Sequence, residues 1–162
     1  MTAAPETPAS GATGRPTEPV EVVQAFLAAL AAGDRVAAAA LVADDILYVN
    51  VGLPPLRGAA KMAKVLALLD RPGLGFDVVV HAIAADGPVV LTERTDLLVT
   101  GRVRAQFWVW GRFEVHDGRI TLWRDSFDYL DLLRGNLRGL LAAAVPALRP
   151  RWPRERDAPG RR

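Results

Sequence analysis

The sequence predicts an α+β domain in which helices pack on one face of a bent, mostly antiparallel sheet. Three observations carry this. Apolar residues recur at helical spacing between residues 17 and 41. Four long strand-like runs follow between residues 75 and 129, each parted from the next by a turn dipeptide. A leucine-rich segment after them returns to helical spacing. With 162 residues, 51% hydrophobic and 23% charged, the chain has the size and composition of one domain with a proper core.

Residues 1–16 are rich in Ala, Pro, Thr and Gly, lack periodicity, and read as a disordered N-terminal segment. Thr17 is placed as the cap of a first helix, with Glu18 and Glu21 in its first turn and Val22, Val23, Phe26, Leu27 and Leu30 on its apolar face. Gly33-Asp34 stops that helix and starts a short alanine-rich one to about Leu41. Ile46 to Val51 reads as a first strand, broken by Gly52-Leu53-Pro54-Pro55. A helix from about Gly58 to Leu69 follows, ended by Pro72-Gly73.

Strands are expected near 75–84, 88–99, 102–115 and 119–129, turning at Asp86-Gly87, Thr100-Gly101 and Asp117-Gly118. In the third of these, Ala105, Phe107, Val109, Gly111, Phe113 and Val115 alternate with Arg104, Gln106, Trp108, Trp110, Arg112 and Glu114. The first set faces inward; two tryptophans in the second suggest that the outer face meets a partner. A last helix, Leu130 to about Ala144, carries Leu133, Leu137, Leu140 and Leu141 on one stripe. Its Gly135 and Gly139 are read as packing against the sheet, and Asp128 as its cap. The folded domain therefore spans 17–148, and residues 149–162 form an Arg-rich tail expected to be disordered.

Charge is uneven. The tail has six arginines against Glu155 and Asp157, a net +4, so the overall +2 leaves −2 on the rest of the chain. A mildly acidic body with a basic end is not a nucleic-acid-binding domain. The tail could touch anionic lipid or nucleic acid, but reads as a solvated terminus. The N-terminus has neither a basic n-region nor an apolar h-region, and the longest apolar run, Gly139 to Leu148, is ten residues. No signal peptide and no membrane span are expected, and the protein is read as cytoplasmic. There is no cysteine, and the two histidines, His81 and His116, make no metal-site pattern. His116 is expected at an exposed turn, and His81 in a strand without a clear partner.

Two strings break the apolar strands with charge: E-R-T-D at 93–96 and W-R-D-S-F-D at 123–128. On a strand Arg94 and Asp96 share a face, with Leu98 after them, and so do Trp123, Asp125 and Phe127. Charges on a core-facing side are costly unless paired. If Arg94, Asp96 and Asp125 converge in a dry pocket they carry −1, and one proton makes them neutral. The planar guanidinium can hold both carboxylates, leaving one ionised and one protonated at neutral pH, a ready base and a ready acid. Tyr48 and Asn50, two apart on the first strand, could hold a water beside the ionised aspartate by three hydrogen bonds. Leu98, Phe107, Val109 and Phe127 are expected as apolar pocket walls, favouring a lipophilic substrate.

These residues and their surroundings resemble the limonene-epoxide hydrolase family, a branch of the nuclear-transport-factor-2-like (SnoaL-like) superfamily. The motifs are Y-V-N at 48–50, L-T-E-R-T-D at 91–96, G-R-F-E-V at 111–115, D-G-R-I-T at 117–121 and W-R-D-S-F-D at 123–128. The resemblance implies a cone-like fold: a strongly curved, mixed, mostly antiparallel sheet with N-terminal helices on its concave face around a deep pocket. It implies hydrolysis of an epoxide to a vicinal diol without a covalent intermediate, and without metal or organic cofactor. Asp125 would be the base, Asp96 the acid and Arg94 the bridge, with Tyr48 and Asn50 positioning water. A homodimer is implied too, which would cover Trp108 and Trp110. Ser126 departs from the family's usual tyrosine but lies on the face opposite Asp125. The alternatives are a ketosteroid isomerase-like enzyme or polyketide or polyether cyclase of the same fold, and a non-catalytic lipid-binding module.

Overall fold

A computed structural model describes residues 16–148 and 152. Apart from Pro16 and Trp152, the two expected disordered segments lie outside the described residues. The chain runs α1 (Pro19–Ala32), α2 (Arg35–Ala40), β1 (Val42–Asn50), β2 (Leu56–Arg57), α3 (Ala59–Leu66), β3 (Leu74–Asp86), β4 (Val89–Thr100), β5 (Val103–His116), β6 (Arg119–Ser126) and α4 (Tyr129–Ala144). Short 3₁₀ turns, Ala67–Asp70 and Pro146–Leu148, follow α3 and α4.

The six strands form one open sheet in the order β2-β1-β6-β5-β4-β3. β3 to β6 are a meander of antiparallel hairpins, and β1 returns parallel to β6. That parallel pairing makes the sheet mixed and sets Tyr48 opposite Trp123 and Asn50 opposite Asp125. A register shift at His81 in β3 adds a residue against β4, and such bulges bend a strand. α1 lies over β3, β4 and β5, while α3 packs on β1. Val22, Val23 and Phe26 are wholly buried against Phe113 and Trp123, so the apolar face read on the first helix is the centre of the core.

Several boundaries differ from expectation. α1 begins with Pro19 after Glu18, which makes no side-chain cap, so Thr17 is not its cap. Proline needs no partner for its absent N–H at this position. The first strand starts at Val42, because that residue already pairs with Ile120 of β6 across an irregularity. The third helix is α-helical only to Leu66. β6 ends at Ser126, since Asp128 accepts a hydrogen bond from the Leu130 N–H (2.7 Å) and opens α4 at Tyr129. β2 was not anticipated; two residues carry too little pattern to read.

α4 packs on the sheet by its glycines, as the sequence reading has it: its buried residues are Gly139 and Ala142, and its leucine stripe faces solvent. A Cβ on Gly135 would collide with the Gln106 carbonyl, and one on Gly139 with that of Arg104. Only glycine lets the helix lie this close to the backbone of β5. Docking was therefore decided by two absent side chains, and the leucines were left on the far side.

Candidate active site

The inner face of β4 carries Val90, Thr92, Arg94 and Asp96 in alternation, all buried. Among the described residues Arg94 is the largest wholly buried side chain. Its Nε donates to Asp96 Oδ1 (2.9 Å) and its Nη2 to Asp125 Oδ2 (2.5 Å). Nη2 also reaches Asp96 Oδ2 at 3.3 Å, and Nη1 donates to Thr92 Oγ1 (3.2 Å). The guanidinium lies over the Phe113 ring, 5.9 Å from its centroid. The expected convergence of two acids on one arginine is thus present, with both carboxylates 5% exposed.

Register explains how this is built. β5 stands between β4 and β6, with Val109 opposite Arg94 and Gly111 opposite Asp125. The guanidinium has to cross β5 to reach Asp125. A Cβ at Gly111 would occupy the place of Arg94 Nη1 and Thr92 Oγ1. Sequence reading set Gly111 on the inward face without giving it this purpose. The available signal was a lone glycine among bulky inward residues, which marks close approach.

Burial raises the Asp96 carboxyl from its ordinary 3.8 to about 6, with Arg94 pulling the other way. A midpoint near 6 leaves Asp96 mostly ionised at neutral pH, so the proton expected on it there is held fully only in mildly acid solution. Burial alone would depress Arg94, but the Asp125 and Asp96 charges outweigh it and keep it a cation. Asp125 accepts on its other oxygen from Trp123 Nε1 (2.7 Å). Trp123, which strand alternation sets on the face of Asp125, is also part of the core, edge-on to Phe26 at 5.1 Å and stacked with Phe113 at 6.0 Å, which fixes the direction of that N–H.

Asn50 Nδ2 donates to the Tyr48 hydroxyl (2.8 Å), leaving the phenol O–H and the Asn50 carbonyl oxygen for a further partner. Burial, followed by the Asp125 charge, pushes Tyr48 up to about 12, so it stays a neutral donor. Tyr48, Asn50, Asp96 and Asp125 all line one cavity of about 280 Å³. The remaining wall is apolar or aromatic and includes all four expected residues: Leu98, Phe107, Val109 and Phe127. Phe127 lies just beyond β6 yet meets Phe107 edge-on at 5.7 Å. Sequence reading missed the walls given by Leu30 of α1, Met62 and Leu66 of α3, Phe76 of β3 and Leu132 of α4. They come from other elements, so no strand alternation points to them.

The histidines lie elsewhere. His116 is exposed at its turn. His81 does have partners: its Nε2 is 2.8 Å from Thr95 Oγ1 and its ring stacks on Trp108 at 4.8 Å. Trp108 is therefore half-buried, and Trp110 alone of the outward pair is broadly exposed, at 58%.

Pocket and sheet together define the class, a protein of nuclear-transport-factor-2-like fold. Within it the chain belongs to the limonene-1,2-epoxide hydrolase family, whose catalytic-domain model matches residues 17–138. It is 51% identical over 124 residues to epoxide hydrolase EphG of Mycobacterium tuberculosis, covering 76% of this chain and 83% of that one. Among solved structures, an LEH-like epoxide hydrolase from M. tuberculosis superposes with a TM-score of 0.79 at 48% identity, over 83% of this chain and 95% of that one. A putative polyketide cyclase from Xanthomonas campestris pv. campestris shares the fold, with a TM-score of 0.64 at 20% identity over 72% of this chain and 96% of the other.

Proposed function

We propose that this chain, an epoxide hydrolase of the limonene-1,2-epoxide hydrolase type, opens a lipophilic epoxide to a vicinal diol in one step. The observation that carries the proposal is the single guanidinium that binds Asp96 and Asp125 at the wall of an otherwise apolar cavity. Water donates one hydrogen to Asp125 and the other to the Asn50 carbonyl oxygen, and accepts from the Tyr48 hydroxyl. Its remaining lone pair then faces the bound epoxide. Asp125 takes the proton as oxygen bonds to carbon. Asp96 gives its proton to the epoxide oxygen as the ring C–O bond breaks. Each transfer is worth ~10²–10⁴-fold. Afterwards the two acids have exchanged protonation states, and the proton returns from Asp125 to Asp96 through water or the diol hydroxyls. Arg94 keeps its charge throughout and draws both carboxylates into one field.

Supporting this reading are the raised Asp96, the neutral Tyr48 and the free acceptor on Asn50. A homodimer formed through the outer sheet face would cover Trp110 and Leu91, which are 58% and 54% exposed. The decisive experiment is a single turnover in ¹⁸O water with a panel of terpene, aryl and fatty epoxides. One label in the diol and none in the protein is expected. Label in the protein would sink the direct-water mechanism, and isomerised product without label would favour an isomerase or cyclase.

A further inference from the structure

The outward leucines of α4 form one surface. Leu130, Leu133, Leu137, Leu140 and Leu141 are between 52 and 61% exposed. At ~100° per residue they fall within a sector of about 100°. Arg134 and Arg138, both exposed, border that sector on one side. The helix's acidic residue, Asp131, is turned inward and accepts from the Trp108 N–H at 3.0 Å. A continuous apolar stripe of this kind marks something that covers it.

Charge says what. The exposed charged side chains of α4 are both cationic, and residues 149–162 add a net +4 directly downstream. A second copy seated on this face would bring Arg134 and Arg138 against their counterparts, a repulsive arrangement. A bilayer bearing anionic headgroups meets the same face with opposite charge and an apolar interior. Leucines on one side with arginines at the margin are the pattern of a helix lying in a membrane interface.

We propose that α4 docks this protein on anionic membrane surfaces, with the leucine stripe in the acyl boundary and Arg134 and Arg138 on lipid phosphates. Leu132 of the same helix lines the cavity, so docking brings a pocket wall to the place where lipophilic molecules partition. That last consequence rests on the proposed substrate class; the docking itself does not.

The test is flotation of the full chain with vesicles of pure phosphatidylcholine and of phosphatidylcholine mixed with phosphatidylglycerol. Binding to the anionic vesicles alone is expected, weakening as salt rises. Leu137→Gln with Leu141→Gln should lower it about tenfold. Each arginine-to-glutamine change at Arg134, Arg138 or the tail should lower it about fivefold. Leu137, Leu141, Arg134 and Arg138 are exposed, so an unchanged melting curve is expected for their variants and checks the fold. Failure to bind anionic vesicles would overturn the proposal. So would equal binding to both kinds, or a leucine variant that changes the native mass in light scattering, since a second copy would then be the occupant. Epoxide turnover in solution, measured on the same variants, should stay unchanged and so separates failure of docking from failure of the catalytic reading.

Discussion

Two arginines on neighbouring strands make the same local pair and come to opposite ends. Arg94 on β4 holds Asp96, two residues on, at 2.9 Å. Arg112 on β5 holds Glu114, also two residues on, at 2.6 Å. Burial predicts that the shorter pair is the weaker one. Arg112 and Glu114 lie on the outer face, with side chains 36% and 32% exposed, where water screens them. Arg94 lies on the inner face with no exposure, and its second carboxylate comes from β6. Only there does burial, with a smaller push from the second acid, hold a carboxyl above the usual carboxylate range. Spacing makes the pair; burial decides whether it becomes chemistry.

Removing each cation should break the comparison most sharply. Arg94→Met leaves Asp96 and Asp125 facing each other in a dry site. A loss of about 3–5 kcal/mol in stability is expected from the uncompensated buried charge. Diol formation should fall with it. Asp125→Asn comes nearer to isolating the chemistry, because asparagine keeps the shape and one acceptor oxygen, though it cannot accept from both Trp123 and Arg94. Its rate should drop ~10²–10⁴-fold while it still unfolds as a folded domain, at a lowered melting point. Full activity in Asp125→Asn would reject that residue as the base.

Acidity gives the next contrast. Asp96 sits at about 6 in the folded protein against an ordinary 3.8. Between those values the folded state keeps a proton that the unfolded chain has released. This contribution to stability is complete below pH 3.8 and is lost as pH rises through about 6. Denaturant titrations from pH 4 to 7 should show that decline, and Asp96→Asn should flatten it. The same proton is the one proposed for the epoxide oxygen, so kcat/KM should fall as pH rises above about 6. A profile flat through that region would remove Asp96 as the acid.

Much of this was legible because strand alternation is a strict rule. Arg94 with Asp96, Trp123 with Asp125, and Tyr48 with Asn50 each share a face wherever the strands go. What joins them is not local. Asp125 reaches Arg94 only because β5 separates their strands and offers Gly111 at the crossing. Helical periodicity was less reliable. It described α1 and α4 equally well, yet Val22, Val23 and Phe26 are core while Leu133, Leu137 and Leu140 face out. Periodicity finds an apolar face, but the partner surface decides which face docks, and for α4 the close fit of Gly135 and Gly139 on β5 decided it.

Gly111 lets the buried pair be perturbed without touching a charge. Gly111→Ala puts a methyl where Arg94 Nη1 and Thr92 Oγ1 now lie. Overpacking of about 1–3 kcal/mol is expected. The guanidinium must shift from Asp125, so kcat should fall further than KM changes. A variant of unchanged rate would mean that the Arg94–Asp125 contact is not needed for turnover.

The smallest effect is the most informative control. Arg112→Met deletes a cation from a pair with the same spacing and a shorter distance, on the strand next to Arg94. If distance governed strength, it would cost as much as Arg94→Met. If burial governs, it costs about 0–1 kcal/mol and leaves diol formation unchanged. Salt separates the cases further. The Arg112 contribution should vanish in high salt, where exposed charges are screened within a few ångströms, while the Arg94 contribution should persist because no ion reaches it. Parallel melting curves of the two variants at low and high salt read both differences at once. An Arg112→Met loss as large and as salt-resistant as that of Arg94→Met would show that the outer pair, too, acts as a buried one, most simply because another surface covers it at Trp110.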